Sequence, residues 1–101
     1  MISREELHRR LGELTIVDAQ HPNAFRRRRL PNAVNLPADR VEALAPVLLP
    51  DLEAPIVVYC GSWLCRTSDR VAAALRSLGY LEVAVYRGGV ADWRLARLPL
   101  G

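Results

Sequence analysis

Short apolar, β-prone runs alternate along this chain with stretches whose apolar positions recur every three or four residues. The strongest run is Ile56-Val57-Val58-Tyr59, with no polar interruption, the pattern of a strand buried on both faces. A helical stripe follows at Val71, Leu75 and Leu78, flanked by Ala72, Ala73 and Ala74. Ser68 reads as the N-cap of this helix, Asp69 falls in its first turn, and Gly79 is a C′ stop. Upstream, Ser3-Arg4-Glu5-Glu6 forms a capping box with Ile2 and Leu7 at the staple positions, opening a helix over about Arg4 to Leu11 that Gly12 ends. Thr15-Ile16-Val17 reads as a strand with Asp18 at its end, and Pro22-Asn23-Ala24-Phe25 starts a short helical turn.

A short strand over Ala33 to Leu36 is stopped by Pro37. Asp39 with Glu42 makes a second, weaker capping box, and Val41, Leu44, Ala45 and Leu48 share one helical face; Pro46 predicts that this helix is short or restarts. Pro50 to Pro55 is a polar connection into the central strand. Val83-Ala84-Val85-Tyr86 is a further strand, Gly88-Gly89 permits a tight turn, and Val90 to Leu95 reads as a last helix containing Trp93. Strands alternating with helices give an α/β fold with a mainly parallel sheet, in one domain over residues 1–101.

Composition narrows the class. Half the residues are hydrophobic and a quarter charged, ordinary for a soluble globular protein. The start, MISREEL, lacks the apolar core of a signal peptide, and no apolar run approaches the ~18 residues of a membrane span. The expectation is a cytoplasmic protein without membrane contact, a monomer or weak dimer. All 14 basic residues are Arg, which with the abundant Leu and Ala points to a GC-rich bacterial genome; few Asn, Gln and Met and loop prolines also suit a thermophile. The net charge of +3 allows anionic partners without demanding them. Arg26-Arg27-Arg28-Arg29 has no aromatic interleaving and reads as a solvated turn rather than a nucleic-acid contact. His8 and His21 stand alone, so neither a metal site nor a cofactor is expected. Asp18 is expected to tie down the loop that follows it by side-chain-to-backbone bonds rather than to act in catalysis.

Chemistry concentrates after the central strand. The strand delivers Cys60 to the edge of a parallel sheet, where ligands bind in open α/β folds. Backbone N–H groups of the loop from Gly61 to Thr67 and of the following helix can bind an anion. The same field, with Arg66, favours thiolate over thiol at Cys60. A cysteine ending a buried strand can simply pack as a small hydrophobe, but this loop, the arginine and the helix start favour a nucleophile. Cys65 either packs in the loop or resolves an oxidised or persulfidated Cys60, which needs Cα atoms within roughly 7 Å. Packing is preferred, because five residues of tight loop can turn the two side chains apart.

With these residues in view, the chain resembles a single-domain rhodanese. The segments that carry the resemblance are VDA at Val17 to Ala19, LPNAVNLP at Leu30 to Pro37, VVYC at Val57 to Cys60, AAALRSLGY at Ala72 to Tyr80 and GGVADW at Gly88 to Trp93. The resemblance implies a rhodanese-like fold with helices on both faces of the sheet, and sulfurtransferase chemistry. Cys60 would take a sulfane sulfur from a small anionic donor such as thiosulfate, become a persulfide, and pass the sulfur to a protein or small-molecule thiol or to cyanide. Gly61, Ser62, Trp63, Leu64, Cys65, Arg66 and Thr67 would form the substrate-binding loop.

The chain departs from the family pattern in four places. Cys65 holds the position of the usual loop basic residue with Arg66 one later, the stretch from Cys60 to Gly79 is longer, Gln20 replaces an arginine, and Arg28-Arg29 replace Gly-His. Cys60, five residues and Arg66 is also the spacing of cysteine phosphatases, and some phosphatases and arsenate reductases share the rhodanese fold. Against that alternative, Tyr59 stands where those relatives have His, and Trp63-Leu64 make an apolar loop tip suited to a sulfane donor or a protein thiol. A third reading is a binding module that keeps the fold without catalysis.

Overall fold

Thr15, Ile56 and Val83 stand side by side at the start of three parallel strands. The computed structural model describes every residue from Met1 to Gly101. It holds one four-stranded, all-parallel sheet of β1 (Thr15–Asp18), β2 (Val34–Asn35), β3 (Ile56–Tyr59) and β4 (Val83–Tyr86) in the order β2-β1-β3-β4. Because side chains alternate across a strand, Ile56 and Val58 enter one core and Val57 and Tyr59 the other. Helices α3 (Val41–Leu48) and α4 (Thr67–Ser77) bury Val41, Ala45, Val71, Ala72 and Leu75 in the first core. On the opposite face, α1 (Arg4–Arg9) and α5 (Gly89–Leu95) bury Leu7, Val90 and Trp93. The remaining helix, α2 (Pro22–Arg27), buries no residue fully. The structure is the α/β architecture expected, with helices on both faces.

Several local expectations are corrected. Ser68 does not cap α4. The helix starts at Thr67, the carbonyl of Arg66 accepts from Asp69 and Arg70, and Ser68 is buried inside the first turn. Asp39 makes no capping box either, because the amide of Arg40 closes a tight turn onto Pro37 and leaves Asp39 within a short 3-10 stretch, Ala38–Arg40. Helix α3 is short, as Pro46 predicts, and it runs through the proline to Leu48 without a restart. Burial of Val41 and Ala45 offsets the missing bond, and the Tyr80 hydroxyl meets the carbonyls of Leu49 (2.6 Å) and Ala45 (3.1 Å) at the far end. Leu48 is exposed, and Leu49, outside the helix, turns inward in its place. Leu78 is likewise exposed, and Tyr80 takes the buried position.

Other signals read as expected. Ser3 Oγ accepts from the amide of Glu6 at 3.1 Å as the N-cap. The Glu6 carboxylate, however, pairs with Arg10 instead of closing the box, and α1 tightens into turns after Arg9, before the predicted end. Gly79 sits at φ +100° as the C′ residue of α4, with the amides of Gly79 and Tyr80 returned to the carbonyls of Arg76 and Leu75. No helix is long and apolar enough to cross a membrane.

Candidate active site

In this sheet β1 connects to β2 on one side and β3 to β4 on the other. The loops leaving β1 and β3 therefore diverge and open a crevice at the C-terminal ends of the two central strands. Asp18 and Tyr59 are paired at that edge, so Ala19-Gln20-His21 and Cys60-Gly61 form facing walls. A cavity of ≈ 490 Å³ lies there, with Cys60, Gly61, Cys65, Thr67 and Arg70 on one side and Gln20, His21 and Asp39 among the residues opposite.

The backbone of Cys60 is fixed from below. Its carbonyl accepts from the amide of Val90 (3.1 Å), and that of Gly61 accepts from Ala91 (2.9 Å), so the first turn of α5 clamps the start of the loop. Gly89 makes this approach feasible. It sits at φ +62°, and a Cβ there would stand 2.2 Å from the Cys60 carbonyl oxygen. In the sequence Gly89 signals only a turn.

The opposite wall is fixed by a buried network. Asp18 accepts from the Gln20 amide (2.7 Å), from Gln20 Nε2 (2.9 Å) and from the Tyr59 hydroxyl, while that hydroxyl accepts from the amide of Leu30 (3.0 Å). Asp18 thus ties down its loop, the structural role read from sequence. Burial pushes its carboxyl above the usual range, opposed by the hydrogen bonds from Tyr59 and Gln20. Burial, followed by the neighbouring Asp18 charge, also raises the Tyr59 hydroxyl, so it remains a donor. Gln20 Nε2 is held between two acceptors, Asp18 and the carbonyl of Arg28 (3.0 Å), which turns Oε1 toward Gly61.

Cys60 is only 5% exposed and is disulfide-bonded to Cys65, with Cα atoms 6.2 Å apart. The preference for Cys65 as a packing residue is therefore reversed. The amide of Cys65 bonds back to the carbonyl of Ser62 (3.2 Å), and this turn folds the loop so that the two sulfurs meet. The N–H groups of Gly61, Ser62, Trp63, Arg66, Thr67 and Ser68 donate to no protein acceptor, leaving the loop and the start of α4 with free donors.

Of the predicted binding loop, Gly61, Cys65 and Thr67 line the cavity; Ser62, Trp63, Leu64 and Arg66 do not. Leu64 is 91% exposed at the loop tip. Arg66 has 72% of its side chain exposed and lies 3.4 Å from Asp69, which is itself held by Arg87 at 2.6 and 2.9 Å. The arginine on the cavity wall is Arg70, one turn further along α4. Its spacing of three from Thr67 could have revealed it. Of the arginine run, Arg29 stacks over the Phe25 ring at 5.0 Å, while Arg27 and Arg28 line a neighbouring hollow with Arg94.

The same fold recurs in known proteins. The profile of the Rhodanese-like domain matches residues 3–96. The HTH-type transcriptional regulator Rv0324 of Mycobacterium tuberculosis is 33% identical over 98% of this chain; the chain spans 43% of that relative's length. Among solved structures, the thiosulfate sulfurtransferase of Pseudomonas aeruginosa superposes with a TM-score of 0.86 at 28% identity, over 98% of this chain and 19% of that one. The human single-domain sulfurtransferase TSTD1 superposes at 0.82 with 23% identity, over 94% of this chain and 95% of its own. A rhodanese-related protein of Thermoplasma volcanium gives 0.84 at 20% identity, over 99% and 95%. With Cys60 at the crevice between β1 and β3, and with the match running through nearly every element of the fold, the chain belongs to the rhodanese-like domain family.

Proposed function

We propose that this protein is a rhodanese-type sulfurtransferase that carries sulfane sulfur as a persulfide on Cys60. One observation carries the reading: a nearly buried cysteine ends the central strand at a cavity whose wall bears Arg70, beside a loop of unpartnered amides. Reduction of the bond to Cys65 frees the nucleophile. Its thiolate attacks the outer sulfur of a donor such as thiosulfate, the sulfur–sulfur bond of the donor breaks, and sulfite leaves with the electron pair. The negative charge of the new persulfide is stabilised by the free amides and the N-terminal end of α4. An acceptor thiol or cyanide then removes the outer sulfur. A thiolate-based cycle of this kind suits a reducing compartment, the cytoplasm.

The phosphatase and arsenate-reductase alternative needs Arg66 to clamp a tetrahedral oxyanion. Arg66 faces Asp69 and solvent instead, so the sulfur reading is preferred. A sensing module without turnover draws support from the regulator name of the mycobacterial relative. Thiosulfate-to-cyanide transfer and phosphate-ester hydrolysis, measured side by side on reduced wild type and Cys60→Ser, separate the three. Thiocyanate formation that disappears in the variant is expected. Phosphatase turnover would replace the reading, and stoichiometric loading without turnover would favour the sensor.

A further inference from the structure

We propose that Cys65 resolves the Cys60 persulfide, so that sulfane sulfur entering this site can leave as hydrosulfide, an output distinct from transfer to an acceptor. The inference rests on the persulfide reading above. Both cysteines line the same cavity, and their Cα atoms, 6.2 Å apart, fall within the range a disulfide spans. Cys60 is held by the clamp on its carbonyl, whereas Cys65 sits in a loop of turns and is partly exposed. Cys65 is thus the partner with the freer surroundings, and the one placed to change position between thiol and bonded states. A bond of purely structural purpose would consume the sulfur that ends the central strand at the cavity.

The chemistry balances without an outside oxidant. The sulfur of Cys65 attacks the inner sulfur, Cys60 Sγ, and the bond from Sγ to the outer sulfur breaks. The outer sulfur leaves as hydrosulfide, taking the electron pair and the thiol proton of Cys65. It is reduced by two electrons, and the two cysteine sulfurs lose one each as their disulfide forms. A second round requires a dithiol reductant to reopen the Cys60–Cys65 bond. The fate of the sulfur is then a competition between an acceptor entering the cavity and the neighbour already in it, which has the advantage of proximity.

The test is a single turnover under anaerobic conditions. Fully reduced wild type and Cys65→Ser, freed of reductant, receive one equivalent of thiosulfate, and intact mass, peptide mapping and sulfide are followed together. Expected for wild type is one hydrosulfide released per chain and a mapped Cys60–Cys65 disulfide. Cys65→Ser is expected to remain one sulfur atom heavier, with a persulfide lifetime longer by about tenfold or more. A wild-type persulfide as long-lived as that of the variant, with Cys65 mapped as free thiol and cyanide still drawing off thiocyanate, overturns the inference and leaves sulfur transfer standing. If neither protein gains sulfur, the persulfide reading fails and this inference with it.

Discussion

Gly89 lies against Cys60 with no room between their backbones: the carbonyl of Cys60 occupies the place where any side chain at position 89 would begin. The turn after β4 thereby sets the height of Cys60 at the end of β3. Gly89→Ala forces a non-glycine residue into the left-handed region and a methyl group into that carbonyl. A loss of about 2 kcal/mol or more in urea unfolding is expected, together with slower persulfide formation, because the clamp from Val90 must shift. Wild-type stability and donor kinetics in this variant would show that the turn does not position Cys60.

Arg70, on the cavity wall, is expected to bind the anionic end of the donor. Loss of one charge-assisted contact in Arg70→Ala should raise the KM for thiosulfate about tenfold or more, with a smaller effect on kcat. Arg66→Ala should do less, since Arg66 is exposed and paired with Asp69. Steady-state kinetics of the two variants decide the matter, and the reverse ranking would return the role to Arg66.

The sequence made the centre of this site legible because its signals are local. An unbroken apolar run, a cysteine, a short loop and a helix closed by Gly79 lie within one stretch, and each is read from its neighbours. Arg70 is not legible in the sequence because choosing between Arg66 and Arg70 depends on where α4 begins, and Ser68 reads as the cap although the first turn starts at Thr67. The approach of Gly89 to Cys60 joins the ends of two strands and has no local signature beyond a pair of glycines. Packing and bonding cysteines look alike in sequence, and only the Ser62–Cys65 turn brings the sulfurs together.

Two carboxylates should leave opposite marks on the pH dependence of stability. Arg87 hydrogen-bonds Asp69 and holds its carboxyl below the usual range. That stabilisation is present above about pH 4 and is lost as the pH falls through the depressed value. Burial holds Asp18 above the usual range. Its protonated form therefore favours folding below about pH 4, and that contribution is lost as the pH rises through the raised value. In denaturant unfolding across this window, wild type should lose its advantage over Asp69→Asn on acidification. It should lose ground relative to Asp18→Asn as the pH rises. Parallel curves for all three proteins would contradict both assignments.

Tyr59 and Tyr80 offer a matched deletion of one buried hydroxyl each. The Tyr59 hydroxyl donates to the Asp18 carboxylate and accepts from the amide of Leu30, so Tyr59→Phe leaves a buried donor unpaired and a buried acid short of one partner. Two such groups should cost about 2–4 kcal/mol together. The Tyr80 hydroxyl meets only carbonyls, and that of Ala45 keeps the Leu49 amide at 2.7 Å, so Tyr80→Phe should cost about 1 kcal/mol. The two variants should also differ in acid. The Tyr59 hydrogen bond pulls the Asp18 carboxyl down, so its removal should move that group's titration to still higher pH, while Tyr80→Phe leaves it in place. Because Asp18 and Gln20 shape the wall facing Cys60, Tyr59→Phe should slow sulfur transfer as well, and Tyr80→Phe should not. Equal stability losses and equal kinetics in the two variants would mean that the Asp18–Tyr59 network does not support the cavity wall.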